Sequence, residues 1–185
     1  MPTRCPWCLK EPIYIEYHDK EWGKPIHDDQ KLFEFLVLES FQAGLSWLTI
    51  LKKRENFRKA FANFDAKKVA KFDRKKFNSL MQDAGIVRNR LKIEAAINNA
   101  QRFLGIQKEF GSFDKYVWSF TGGKTIVNKV KNMKDVPAKT AISDAMSKDM
   151  GLRGFKFRGS TICYAFMQAV GMVDDHMNDC WRKKK

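Results

Sequence analysis

Gly154-Phe155-Lys156-Phe157-Arg158-Gly159-Ser160-Thr161, followed by the apolar run Ile162 to Val170, is the stretch that decides the fold. Gly154 stops one helix, a basic turn reverses the chain, and a glycine opens the next helix. The pattern reads as a helix-hairpin-helix over about 142–170. Such a turn aims backbone N–H groups at a phosphate, and the positive end of the new helix assists. Lys156 and Arg158 add charge beside it, while Gly159, Ser160 and Thr161 form the helix start. Glycine turns join helices in many helical proteins, so the pattern takes its meaning from the rest of the chain.

Helical periodicity runs through nearly all of that rest. Asp29 reads as the cap of a helix carrying Leu32, Phe33 and Leu36 inward and stopping at Ser40-Phe41-Gln42-Ala43-Gly44. Ser46 caps a second helix with Trp47, Leu48, Leu51 and Phe57. Asp73 opens a third with Phe77, Leu80 and Met81, and Gly85 suits its left-handed C-cap. Ile93, Ala96, Ile97, Ala100, Phe103 and Leu104 form the cleanest stripe, with Ser112 and Thr140 as further caps. Thr125 to Val130 is a weak extended candidate, too short to found a sheet. Gly122-Gly123 to Pro137 is short enough to be an internal loop. The sequence predicts an all-α, compact helical bundle, one domain over 1–185.

A chain of 185 residues with 44% hydrophobic and 13% aromatic content can bury a proper core. Met1-Pro2-Thr3-Arg4 leads into no apolar run and no stretch reaches membrane-spanning length, so a cytoplasmic protein without membrane contact is expected. The net charge is +14, spread over Lys52-Lys53-Arg54, Arg74-Lys75-Lys76, Arg88-x-Arg90-x-Lys92, Lys156-x-Arg158 and the tail Arg182 to Lys185. A polyanion is the economical partner, because neutralising phosphates releases counterions.

The chain has four cysteines and three histidines, and no secretory context that would favour disulfides. His176-x-x-x-Cys180 puts two soft ligands one helical turn apart; Cys5 and His18 add a thiol and an imidazole from the other end. Two thiolates and two imidazoles complete a tetrahedral structural zinc site with no open position. Cys8, in Cys5-Pro6-Trp7-Cys8, is an alternative ligand, and the CxxC could itself be a redox pair. A redox CxxC usually follows a strand in a βαβ setting, and no such setting is visible.

Trp7, Tyr14, Tyr17 and Trp22 crowd the segment that carries the head ligands, and Trp47 follows. Electron-rich faces stack on a flipped base and attract a cationic one. Glu39, in Val37-Leu38-Glu39-Ser40, ends an apolar helix, where an unpaired carboxylate is expensive to bury. There it could accept from an exocyclic amine or a ring N–H. The turn Gln42-Ala43-Gly44-Leu45 could insert a small apolar wedge into a base stack.

Three segments together closely resemble the bacterial 3-methyladenine DNA glycosylase I family: Tyr14 to Gly23, Leu38 to Trp47, and Gly154-Phe155-Lys156-Phe157 through Ile162-Cys163-Tyr164. The likeness spans essentially the whole chain. It implies the helix-hairpin-helix glycosylase superfamily, and one structural zinc held by Cys5, His18, His176 and Cys180, which chooses Cys5 over Cys8. The metal would clamp the terminal segments 1–25 and 171–185. The resemblance also implies that Glu39 reads the base as the catalytic carboxylate, that Trp7, Tyr14, Tyr17 and Trp47 line the pocket, and that Gly44 and Leu45 sit at the lesion gap. The expected activity is hydrolysis of 3-methyladenine from alkylated double-stranded DNA by a monomer, with the free base as product.

Two departures from the superfamily matter. Its hairpin reads roughly Leu-Pro-Gly-Val-Gly, whereas Phe157 here replaces the first glycine. Where bifunctional members carry a Schiff-base lysine, this chain has Thr161, which implies no lyase step and an abasic product. Asp174 and Asp175 flank His176 and are read first as partners that orient its imidazole. A non-catalytic zinc-stabilised DNA-binding module and a lyase-type repair glycosylase are the competing functions.

Overall fold

Every residue from Leu32 to Phe41 is buried, so the helix Asp29–Gln42 is covered on all sides rather than along one stripe. It is the axle of the computed structural model, which describes residues 2–183. Lys184 and Lys185, the end of the basic tail, lie outside the described residues.

Around this helix, α2, stand α1 (Pro12–Lys20), α3 (Trp47–Ala60), α4 (Ala66–Val69), α5 (Arg74–Gln82), α6 (Arg90–Phe110), α7 (Phe113–Ser119), α8 (Ala141–Leu152) and α9 (Ser160–Ala169). α2 packs against α3, α6, α7 and α9. Phe41, Phe57 and Phe61 fill one side of it; Phe33, Phe103 and Phe113 fill the other. One continuous core runs from Cys5 to Cys180. Among the described residues no helix is long and apolar enough to cross a membrane.

Ser46, Asp73, Ser112 and Thr140 cap the helices expected of them. Asp29 does not cap its own helix: Asp28 does, accepting from Lys31 N at 2.8 Å. The Asp29 carboxylate turns away and accepts from Phe113 N and Asp114 N, fastening the start of α7 to that of α2. Either aspartate satisfies the local rule, and only tertiary packing separates them. Gly85 is not a left-handed cap either: α5 ends with Asp83 at its C-cap, and Gly85 is absent from the positive-φ residues. The Asp83 carboxylate accepts from Gly85 N and makes the turn instead. Gly154, by contrast, follows α8 at φ +83° as read.

The extended candidate reduces to β1 (Ile126–Val127), paired in parallel with β2 (Val173–Asp174), plus a bridge from Val130 to Met177. This short pairing brings the loop after Gly123 against the C-terminal segment.

Two of the basic residues read as polyanion surface are buried. Arg54 donates to Glu34 Oε1 at 2.7 Å and to both oxygens of Glu21 at 2.8 Å. Lys92 donates to the carbonyls of Phe41 and Ala43. Both are structural cations within the fold.

Candidate active site and metal centre

α1, the two ends of the α2–α3 corner, and α9 enclose a cavity of about 220 Å³. Trp7, Tyr17, Trp22 and Trp47 supply its aromatic walls, with Glu39, Gln42, Met133, Ala165 and Gln168 completing the lining. Trp7 meets Trp22 edge-on at 5.1 Å between centroids, and Tyr17 tilts against Trp47 at 5.5 Å. Tyr14 does not line this space. It stands behind Trp7, edge-on at 5.6 Å, and its hydroxyl accepts from Leu48 N at 2.9 Å, which satisfies one of the free N–H groups that begin α3.

Glu39 is 4% exposed and its Oε2 has no hydrogen-bond partner among the described residues. Burial pushes its carboxyl up to about 8. Five residues earlier on the same helix, Glu34 is as deeply buried but meets Lys31, Arg54 and Arg58. Burial alone would raise Glu34 too, yet those cations hold it below the ordinary range. α2 thus carries one neutralised carboxylate and one left without a cation at the cavity wall. Trp47 Nε1 is likewise buried there without an acceptor. Each such group costs about 1–3 kcal/mol when unsatisfied, so the cavity offers a ligand one acceptor at Glu39 and one donor at Trp47. Burial, and then the neighbouring Glu39, hold the Tyr17 phenol well above its usual value, so Tyr17 stays neutral.

The terminal thiols and imidazoles converge beside this cavity. Ligand atoms of Cys5, His18 and Cys180 lie within 4.8 Å of one another, all buried. His176 is not in that 4.8 Å group but stands beside it, its ring centroid 5.0 Å from that of His18, and its Nε2 is buried with no partner among the described residues. Its other ring nitrogen meets Asp174 Oδ1 at 2.9 Å, as His18 Nδ1 meets Asp19 Oδ1 at 2.8 Å. A carboxylate behind each imidazole holds Nδ1 and leaves Nε2 as the available donor, turned in His18 towards the Cys180 thiol. Burial and the nearby Cys180 thiol push Cys5 up to about 12, an environment that a cation would reverse. Cys5, His18 and Cys180 thus form a possible metal-binding group, and two thiols with an imidazole are donors that suit a zinc-like ion. Cys8 is turned away, its thiol donating to Cys5 O at 3.1 Å. Gly23 explains how Trp22 reaches this centre: at φ +74° it lies flat on His176, and a Cβ would come within 2.7 Å of Cε1. Of the two flanking aspartates only Asp174 orients His176. Asp175 instead accepts from Tyr164, Gln168 and Asn128.

The hairpin and the predicted wedge lie near the cavity. α9 begins at Gly159 with no side-chain cap, so its first N–H groups are free of side-chain competition. Lys156, Gly159 and Thr161 are exposed and Ser160 is half-buried, its hydroxyl 2.8 Å from that of Ser143. Arg158 is half-buried and folds back over Gly151, where a Cβ would come within 2.4 Å of its Cζ. Phe157, in the turn between α8 and α9, adopts φ +47°. Gly44, at φ +76° with nothing within 4 Å of a built Cβ, and Leu45, 41% exposed, project as the tip of the turn after α2.

Sequence reasoning missed Gln42, Met133, Ala165 and Gln168 as cavity residues. No local pattern marks them, since Met133 arrives through the β1–β2 pairing and Ala165 and Gln168 through the packing of α9 on α2.

The family model described as methyladenine glycosylase matches residues 7–183. The chain is 53% identical to a DNA-3-methyladenine glycosylase of Haemophilus influenzae, over 97% of each chain. Among solved structures, a 3-methyladenine DNA glycosylase I superposes with TM-score 0.96 at 46% identity, covering 98% of this chain and all of that one. The Staphylococcus aureus enzyme, solved to explain its recognition of 3-methyladenine, matches with TM-score 0.95 at 41% identity, covering 98% of this chain and 97% of its own. With those matches over nearly its whole length, the chain belongs to the methyladenine glycosylase family.

Proposed function

We propose that this protein is a monofunctional DNA glycosylase that flips 3-methyladenine out of alkylated duplex DNA and hydrolyses its N-glycosidic bond. The observation that carries this reading is an aromatic cavity where two buried polar atoms, Glu39 Oε2 and Trp47 Nε1, have no partner among the described residues. Adenine's exocyclic amine and ring nitrogens complement that pair, and the relatives bear the matching name.

Methylation at ring nitrogen 3 makes the base cationic and a good leaving group, so the apparatus can be light. Trp7, Tyr17, Trp22 and Trp47 hold the positive ring by its faces. The cation draws Glu39 into its ionised form, which accepts from the amine and selects adenine. The N-glycosidic bond breaks and the base leaves neutral as charge moves to the deoxyribose carbon; water adds to that carbon and loses its proton to solvent. Thr161 offers no amine for a Schiff base, so the product is an abasic site. Leu45 fills the gap left by the base, and the hairpin with Lys156 grips the neighbouring backbone. Arg158, folded over Gly151, must swing outward to contribute its charge.

Cys5, His18, His176 and Cys180 would hold one zinc ion, which supplies a crosslink between the chain ends and no chemistry. We read residues 1–185 as one domain acting as a monomer, in the cytoplasm with the chromosome it repairs. Incubating the protein with methylated DNA and resolving the released bases by chromatography tests the function. Release of 3-methyladenine with strands intact until heated is the expected result. No release would leave only a DNA-binding module, and scission without base or heat would mean a lyase.

A further inference from the structure

Side chains of α6 connect the two turns that the proposed function assigns to DNA. Lys92, on the first turn of α6, is 6% exposed, and its ammonium donates to Phe41 O at 2.7 Å and Ala43 O at 2.5 Å. Those carbonyls belong to the end of α2, where C=O groups lack helical partners, and Ala43 leads straight into Gly44-Leu45. Two helical turns along the same face, buried Asn99 holds the hairpin from both sides. Its Nδ2 donates to Lys156 O at 2.9 Å and its Oδ1 accepts from Lys156 N at 2.8 Å. Asn98 adds a bond to Gly154 O at 2.9 Å.

Solubility does not explain Lys92, because a buried ammonium costs free energy and this one donates to two backbone carbonyls, not to a carboxylate. Its partners are the negative end of one helix. Nor is Asn99 a generic core residue, since both ends of its amide are spent on a single hairpin residue. We infer that α6 is a strut that fixes the offset between the inserted turn and the phosphate-gripping hairpin, with Lys92 and Asn99 as positioning residues. This rests on the DNA roles proposed above for those turns. The two grips lie about 10 Å apart along the helix axis at 1.5 Å per residue. Duplex DNA is stiff on that scale, so a wedge can enter only at a set distance from the phosphates held beside it. The cavity lining includes Gln42 but none of Gly44, Leu45 or the hairpin residues, so free base needs no such register.

Lys92→Met keeps the aliphatic stem and removes the ammonium; Lys92→Gln keeps one donor and guards against a variant that fails to fold. Asn99→Leu removes the hairpin grip. Binding to a duplex containing a tetrahydrofuran abasic site and excision from methylated duplex are read against binding of free 3-methyladenine by tryptophan quenching. Loss of a charged hydrogen bond predicts about ten-fold weaker duplex binding, with KM for excision rising by a similar factor. Free-base affinity should stay within about two-fold, and Lys92→Arg should restore duplex binding. Equal losses of duplex and free-base affinity, or no loss at all, would overturn the strut. Wild-type protein separates the two readings. If it releases no base, function and strut fall together; if it does and the variants match it, only the strut falls.

Discussion

Trp22 packs edge-on against His176, ring centroids 4.6 Å apart, so one wall of the cavity rests directly on a ligand of the proposed metal centre. Trp7 leans on His18 in the same way at 5.6 Å. The clamp and the pocket share a boundary, and disorder in one must reach the other.

Chelation should therefore open the pocket without touching its polar groups. Removing the ion leaves two thiols and two imidazoles buried without their common ligand and frees the chain ends. We expect the melting temperature to drop by several degrees and free 3-methyladenine affinity to fall about ten-fold or more. Metal analysis before and after chelation, with tryptophan emission as a second readout, checks this. Full base affinity in metal-free protein would sever the link drawn here.

Glu39→Gln should weaken base binding while making the protein more stable. The amide keeps the size of the carboxyl but cannot take the ionised form that meets a cationic base. A loss of about 10–100-fold in affinity and excision follows from replacing a charged by a neutral hydrogen bond. Chemical denaturation at pH 8 should show the variant ahead of wild type, because the buried charge is gone. A variant with wild-type excision would remove Glu39 from the site.

The same residue gives a pH signature. In the folded chain Glu39 titrates near 8, above its ordinary 4.5. Between those values the folded state keeps a proton that the unfolded state has lost. Its contribution to stability is thus fully present below about pH 4.5, declines as pH rises towards 8, and is flat beyond. Base affinity runs the other way, rising up to about pH 8 as less work is needed to ionise Glu39. Denaturation midpoints and binding isotherms across this range should show both slopes, and Glu39→Gln should flatten both.

Much of this was legible in the residues because it is local. Cap residues, the Gly154 stop and the hairpin turn follow from chemistry within a few positions. Asp28 against Asp29 shows the limit, since both suit an N-cap and only the approach of Phe113 decides between them. Charge was the least legible property. Arg54 and Lys92 read as surface cations within basic runs, yet one neutralises Glu34 and the other ends α2. Glu34 and Glu39 look alike in sequence; their opposite states come from Lys31 one turn away and from the arginines that α3 brings to Glu34 alone.

Tyr14 gives the sharpest separation of a cavity residue from its support. Its hydroxyl accepts from Leu48 N, next to Trp47, while its ring backs Trp7. Tyr14→Phe leaves the ring packing intact and orphans one half-buried N–H at the start of α3. That should cost about 1 kcal/mol, or a few degrees in melting temperature. Because α3 starts at Trp47, fraying there also loosens the indole whose N–H has no acceptor among the described residues. Trp47→Phe removes that donor outright and should cut base affinity about ten-fold with little change in stability. The two variants should thus differ in kind, with Tyr14→Phe showing mainly in denaturation curves and Trp47→Phe mainly in binding. If Tyr14→Phe instead lost as much base affinity as Trp47→Phe at unchanged stability, Tyr14 would have to touch the base itself, and the cavity would have to close further around its ligand.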